Sequence, residues 1–366
     1  MNTQRLVDTF LKYVQIDSES YNEINMANAV MADLKEIGCE VYMDNAGEKV
    51  GSNAGNVYAV LKGDMDKEPI LFSAHMDTVK PGKGVKPVIK DGVIYSDKTT
   101  VLGGDDKSGV VSVVEALRTI KEQNLSHPTI EVVFTICEEC GLLGSKNLDY
   151  SRITAKKAAV LDSSGDAGVI INTAPGQIKI IGHFVGKGAH AGVAPEEGIS
   201  AIQIASEAIS HMKLLRIDEE TTANIGTLKA EYATNIVPEK VYMLAEARSR
   251  NSEKLKAQKE HMIKCIDDAC EKFGGKFEGE VVDCYSTYYT DENDSFIAEI
   301  KQACERAGIT SCIKASGGGS DANNMNLNGI KSVVLGTGMN KVHSVNEEIT
   351  IQNLEDTTKL VLELAK

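Results

Sequence analysis

Short apolar runs rich in β-branched residues alternate along this chain with segments whose apolar residues recur every three to four positions, and no other feature narrows the possible folds as far. Leu6, Phe10, Tyr13 and Val14 mark a first helix. Met26, Val30, Leu34 and Ile37 mark a second, with Gly38 standing where a helix would stop. The runs at 56–61, 70–74, 129–136 and 158–161 read as strands, and 107–122 reads as a helix between the second and third of them. Parallel strands need crossover helices, which then cover the faces of the sheet. The pattern predicts an α/β domain, a mixed, largely parallel sheet with helices on both faces.

The rhythm changes near Thr173. A strand at 177–185, a helix at 200–214, a short strand at 224–228, a strand at 240–249, a helix at 252–273 and a strand at 276–284 follow one another. This β-α-β-β-α-β order is that of a ferredoxin-like α+β unit, complete within roughly a hundred residues. After Tyr285 the earlier rhythm returns, helical at 295–307, extended at 331–335 and helical again from Ile351. We expect a discontinuous first domain, residues 1–174 and 286–366, and an inserted domain at 175–285. The 366 residues suffice for two cores.

Charge narrows the partners. With 39 basic and 53 acidic residues the net charge is −14, which disfavours nucleic acid and anionic membrane surfaces, since both reward clustered lysine and arginine. No run of apolar residues is long enough to span a bilayer, and the amphipathic start lacks the unbroken apolar stretch of a signal peptide, so a cytoplasmic location is expected. The eight scattered cysteines then read as thiols, and Cys137 and Cys140 form the one CxxC.

Several imidazoles and carboxylates fall just beyond predicted strand ends: His75 and Asp77, Glu138 and Glu139, Asp162, and His343. Open parallel sheets bind ligands beyond the carboxyl ends of their strands, so these residues should converge, joined by Asp105 from the start of a helix. Two imidazoles with several carboxylates suit zinc, cobalt or manganese, and a shared carboxylate suits two metal ions about 3.5–4 Å apart. Singly, each residue has a plainer reading: a packed histidine, a solvated acidic pair, an aspartate capping a helix. Their joint placement after strand ends favours the metal centre. Cys137-Glu-Glu-Cys140 could be a redox or structural metal motif, but no second CxxC or histidine pair lies near it.

The strings SAHMDTV, LGGDDKSGV, FTICEECGLLGS, LDSSG, GKGAHAGVAPEEG, ATNIVP, EARS and GGGSDAN, with the late Val342-His343-Ser344, resemble the peptidase T-like branch of the dinuclear zinc exopeptidases. The likeness runs from about residue 3 to 365. It implies His75 and Asp162 as ligands of one metal, Glu139 and His343 as ligands of the other, and Asp105 as the ligand shared between them. It further implies that Asp77 orients His75 and that the Asp105–Asp106 peptide is cis. Glu138 matches the general base, which would take a proton from a metal-activated water and pass it to the leaving amine. His190 matches an oxyanion donor that relatives supply across a dimer interface, so a homodimer through the inserted domain is implied. Asn235, Arg248 and the Gly318-Gly319 loop match substrate contacts, the arginine and the successive backbone amides being suited to a free carboxylate. At Lys107-Ser108-Gly109 many relatives carry glycine or alanine in the middle, a departure that leaves the ligand set intact.

The resemblance implies an aminopeptidase acting on short peptides, with tripeptides the expected substrates. The alternatives are a dipeptidase or an N-acyl amino acid hydrolase, a deacylase or desuccinylase, with the same two-metal centre. A catalytically inactive binding homologue is a further alternative, and retention of Glu138 with all five expected ligands argues against it.

Overall fold

A computed structural model describes the whole chain, Met1–Lys366. In chain order the principal elements are α1 (Thr3–Val14), α2 (Ile24–Ile37), β1 (Glu40–Met43), β2 (Val57–Leu61), β3 (Ile70–His75), α3 (Gly104–Gln123), β4 (Ile130–Thr135), β5 (Lys157–Ser163) and β6 (Val169–Ala174). There follow β7 (Gly176–Val185), α4 (Ala201–His211), β8 (Thr221–Lys229), β9 (Lys240–Ser249), α5 (Ser252–Phe273) and β10 (Lys276–Tyr285). The chain ends with α6 (Ser295–Ala307), β11 (Cys312–Ala315), α7 (Asp321–Leu327), β12 (Lys331–Gly336) and α8 (Ile351–Leu364). These form two compact units, one of Met1–Thr173, Tyr289–Ser316 and Ser320–Lys366, the other of Ala174–Tyr288 with Gly317–Gly319.

The first unit is built on a mixed sheet in the order β1-β2-β4-β3-β5-β12-β6, with β11 beside β6. Its middle strands, β4, β3, β5 and β12, are mutually parallel, whereas β1, β2 and β6 pair antiparallel with their neighbours toward the middle. Every residue of β3 and of β4 is buried, which is why their sequences, ILFSAH and IEVVFT, read as nearly unbroken apolar runs. Between them α3 packs Val110, Val113, Val114, Leu117 and Ile120 into the main core, and α1 and α8 pack on α3. Because the four middle strands run the same way, their carboxyl ends lie along one side of the sheet, and the residues that follow them emerge together.

The second unit is the ferredoxin-like β-α-β-β-α-β arrangement. Its antiparallel sheet runs β8-β9-β7-β10, with the short strand Leu215–Arg216 outside β8. Alternate residues of β9, Val241, Met243, Ala245 and Ala247, point into a separate core shared with Ile204 and Ala205 of α4 and Met262 and Ile266 of α5. That period of two marks a sheet with one covered face. No helix of the protein is long and apolar enough to cross a membrane.

Candidate metal centre and substrate-binding residues

His75 ends β3, Glu138 and Glu139 follow β4, Asp162 lies one residue from the end of β5, and His343 stands in the loop after β12. The parallel middle of the sheet brings these together. Asp105 sits between two imidazoles: its Oδ1 is 3.1 Å from His75 Nε2 and its Oδ2 is 3.2 Å from His343 Nε2. On one side Asp162 Oδ1 lies 3.7 Å from His75 Nε2, and on the other Glu139 Oε1 lies 2.9 Å from His343 Nε2. Donor atoms of His75, Asp105 and Asp162 fall within 4.8 Å of one another, as do those of Asp105, Glu139 and His343, and of His75, Glu138 and Glu139. The peptide between Asp105 and Asp106 is cis.

Behind these atoms a network of hydrogen bonds fixes their positions. Asp77 has no exposed surface; its backbone carbonyl oxygen lies 2.9 Å from His75 Nδ1, and its carboxylate Oδ1 lies 3.3 Å from the same nitrogen. The same carboxylate accepts the backbone N–H groups of Glu138 (3.0 Å) and Glu139 (3.3 Å) and the hydroxyl of Ser20 (2.7 Å), so one buried acid aligns a histidine and both glutamates. Asp106, equally buried, accepts the N–H of His75 (3.2 Å) and of Gly109 (3.1 Å). Cys137 is buried just before the two glutamates, its thiol donating to Glu23 Oε1 at 3.1 Å. All eight cysteines are free thiols.

The electrostatics fit divalent cations. Burial pushes the carboxyls of Glu138 and Asp162 well above the ordinary range, the more so because further acids crowd them. Burial pulls the other way on His75, yet hydrogen bonds to Asp105 and Asp77 win and raise it well above its usual value. Hydrogen bonds to Asp105 and Glu139 raise the His343 imidazole to about 10. In each case the cluster draws positive charge onto itself. Two imidazole nitrogens, a carboxylate with one oxygen toward each, and the carboxylates of Glu139 and Asp162 form a donor set suited to two divalent ions, with Glu138 beside them. The buried Lys107, only 1% exposed, is an internal cation nearby, its pKa lowered by burial to about 8.

Sequence reasoning missed Glu347. It is 1% exposed, and its carboxylate accepts the N–H groups of Leu102 (2.8 Å), Gly103 (2.8 Å) and Asp105 (2.9 Å). Nothing in the sequence separates it from its neighbour Glu348.

The other expected residues belong to the second unit. His190 lies exposed on the short strand Ala189–His190, which pairs with Ile236–Val237, and Ala191 N–H donates to the Asn235 carbonyl at 2.9 Å, so His190 and Asn235 are neighbours. Arg248, on β9, forms a bidentate ion pair with Glu246 two residues before it, Nε donating to Oε1 and Nη2 to Oε2, both at 3.1 Å. A period of two places both on one face of the strand. Gln177 also donates to Glu246, at 2.5 Å. Gly319 packs against Tyr285 so closely that a Cβ would stand 2.3 Å from the ring and would have to displace it; Gly318 precedes it in the same loop.

The profile of peptidase family M20/M25/M40 matches residues 71–366. The chain is similar to a solved aminopeptidase PepT of Bacillus cereus, at 44% identity and TM-score 0.92, covering 100% of this chain and 98% of that one. It is similar to a solved tripeptidase of Staphylococcus aureus, at 40% identity and TM-score 0.96, with the same coverage. The peptidase T of Clostridium perfringens (strain SM101) is 25% identical over 418 residues, spanning 99% of this chain and 98% of that protein.

Proposed function

Because the chain belongs to peptidase family M20/M25/M40, we propose that it is an aminopeptidase that removes the N-terminal residue of short peptides, tripeptides foremost, at a centre of two zinc ions. The observation that carries the reading is Asp105, whose two oxygens each face one imidazole-carboxylate pair. The tripeptide preference is supported by the likeness over full length to an aminopeptidase and a tripeptidase at 40–44% identity.

His75 and Asp162 would hold one ion, Glu139 and His343 the other, and Asp105 both. Two such ions supply Lewis acidity and bring the pKa of water down toward neutrality. Glu138, with its backbone held by Asp77, takes the proton from the attacking water and returns it to the amine that leaves. His190 donates to the oxyanion, and a homodimer through the Ala174–Tyr288 unit supplies that histidine from the partner. Asn235, Gly318 and Gly319 bind the peptide backbone. Arg248 grips the peptide's terminal carboxylate; Glu246 holds its Nε edge, which leaves the Nη1 side for the substrate. Free thiols fit a reducing compartment, in keeping with a cytoplasmic enzyme.

The test is a panel of di-, tri- and tetrapeptides beside acetylated and succinylated amino acids, with zinc, cobalt or manganese added to the metal-free protein. Tripeptides with free amino termini should turn over fastest. Acyl amino acids hydrolysed faster than every free peptide would overturn the aminopeptidase reading in favour of an N-acyl amino acid hydrolase.

A further inference from the structure

The loop that carries His343 is not held by metal-site residues alone. Lys341 and His343 both adopt left-handed backbone, φ 54° and 59°, a conformation that side chains other than glycine rarely take and that persists where surrounding contacts fix it. The loop is pinned at its base by Asn340 and Glu348, whose backbones exchange hydrogen bonds of 2.9 and 3.1 Å, and by the Glu347 N–H, which donates to the Ser344 carbonyl at 3.0 Å. Its other tie reaches across 242 positions of sequence: the buried Glu347 carboxylate takes the N–H groups of Leu102 and Gly103 on Oε2 and of Asp105 on Oε1. Those donors lie in the turn that leads into α3: Leu102 and Gly103 precede the helix, and the backbone of Asp105 is itself non-helical, φ −81° and ψ 101°, so the Glu347 carboxylate supplies the acceptor that the helix does not. Gly103 stands at φ 75°, and a Cβ on Gly104 would approach Glu347 Oε1 to 3.2 Å, so the turn is shaped around this side chain.

We propose that Glu347 is a positioning residue that clips the His343 loop onto the turn carrying Asp105, and so sets the spacing of the two ligands that enclose the second metal position. It touches neither substrate nor reacting atoms. The inference rests on the two-metal reading above. Asp105 is shared with the position of His75 and Asp162, but those two residues stand on β3 and β5, which sheet hydrogen bonds hold; only the other position takes both Asp105 and a residue of the Glu347 loop, so loss of Glu347 should fall chiefly on the position formed by Asp105, Glu139 and His343.

Calorimetric titration of the metal-free protein with zinc tests this, on the parent, Glu347→Ala, Glu347→Gln and, as a reference, His343→Ala. The parent should take up two equivalents; if it takes up one, the two-metal reading fails, whatever Glu347 does. With two bound, Glu347→Ala should weaken one equivalent about 10–100-fold, the size of loss seen when a ligand's outer partner is removed, and leave the other near the parental value, as His343→Ala should. Glu347→Gln should show the same bias more mildly, because its amide keeps one acceptor while turning N–H toward a donor. Amide exchange of Leu102, Gly103 and Asp105 in the metal-free Ala variant should accelerate. Two parental affinities in both variants would overturn the proposal. So would equal weakening of both equivalents with a lowered melting temperature, which would make Glu347 a support of the fold alone.

Discussion

At the scale of single residues, the proposed function divides the labour between groups that hold charge and one that moves a proton. Glu138 and Glu139 are adjacent and share Asp77 as the acceptor of their backbone N–H groups, yet Glu139 approaches His343 while Glu138 is more deeply buried. Glu138→Gln keeps the shape and the backbone bond and removes the proton acceptor. Turnover of a tripeptide should fall by about 10²–10⁴-fold, the usual worth of a positioned general base, with metal content unchanged. Activity within tenfold of the parent would show that another group takes the proton. Much of this cluster is legible in the sequence, because His75, Glu138, Glu139, Asp162 and His343 follow apolar runs that can only be buried strands. Glu347 is not legible, since its role comes from three N–H donors more than 240 positions away. The pairing of Glu246 with Arg248 lay within reach, as residues two apart on a strand share a face.

At the scale of elements, the position of α3 against β5 sets how closely Asp105 and Asp162 approach. Gly109 makes that contact possible: a Cβ there would lie 2.4 Å from the Leu161 carbonyl oxygen and 2.6 Å from Asp106 Oδ1. Gly109→Ala must therefore push the helix off the strand or displace Asp106, a cost of about 1–3 kcal/mol, typical of overpacking. Thermal melting of the metal-free protein should drop by several degrees, and zinc affinity should fall with it; a melting temperature equal to the parent's would mean that the helix has slack at this point. Strands fully buried between helices, such as β3 and β4, announce themselves by composition. The edge strands do not: β1 alternates exposed and half-buried residues, and β11 is largely exposed, so each is held by its partner's register more than by its own pattern. The polar helix α7 escaped notice for a similar reason. Ser320 and Asn323 form its capping box, a local signal, but its asparagine-rich body gives no apolar period.

At the scale of the whole molecule, the expected chemistry divides along the chain. Every candidate metal ligand and Glu138 belong to the first unit, whereas His190, Asn235, Arg248, Gly318 and Gly319 belong to the second. Each unit has its own apolar core. The first unit also closes on itself where the second departs from it: Thr290 N–H donates to the Asn172 carbonyl and the Asn172 side chain donates to the Thr290 carbonyl, both at 2.8 Å. The residues between Ala174 and Tyr288 can therefore be replaced by a short glycine-serine link that leaves the sheet whole. The shortened protein should melt cooperatively and bind two equivalents of zinc, because neither the core nor the ligand set loses a member. Peptide turnover should nevertheless fall more than about 10²-fold, since the proposed oxyanion donor, His190, and the proposed carboxylate grip, Arg248, have both gone. Isothermal titration and a tripeptide assay on the same preparation separate the two expectations. Turnover near the parental rate would remove His190 and Arg248 from the reaction, and loss of metal binding in a folded protein would show that the second unit shapes the centre as well as serving it.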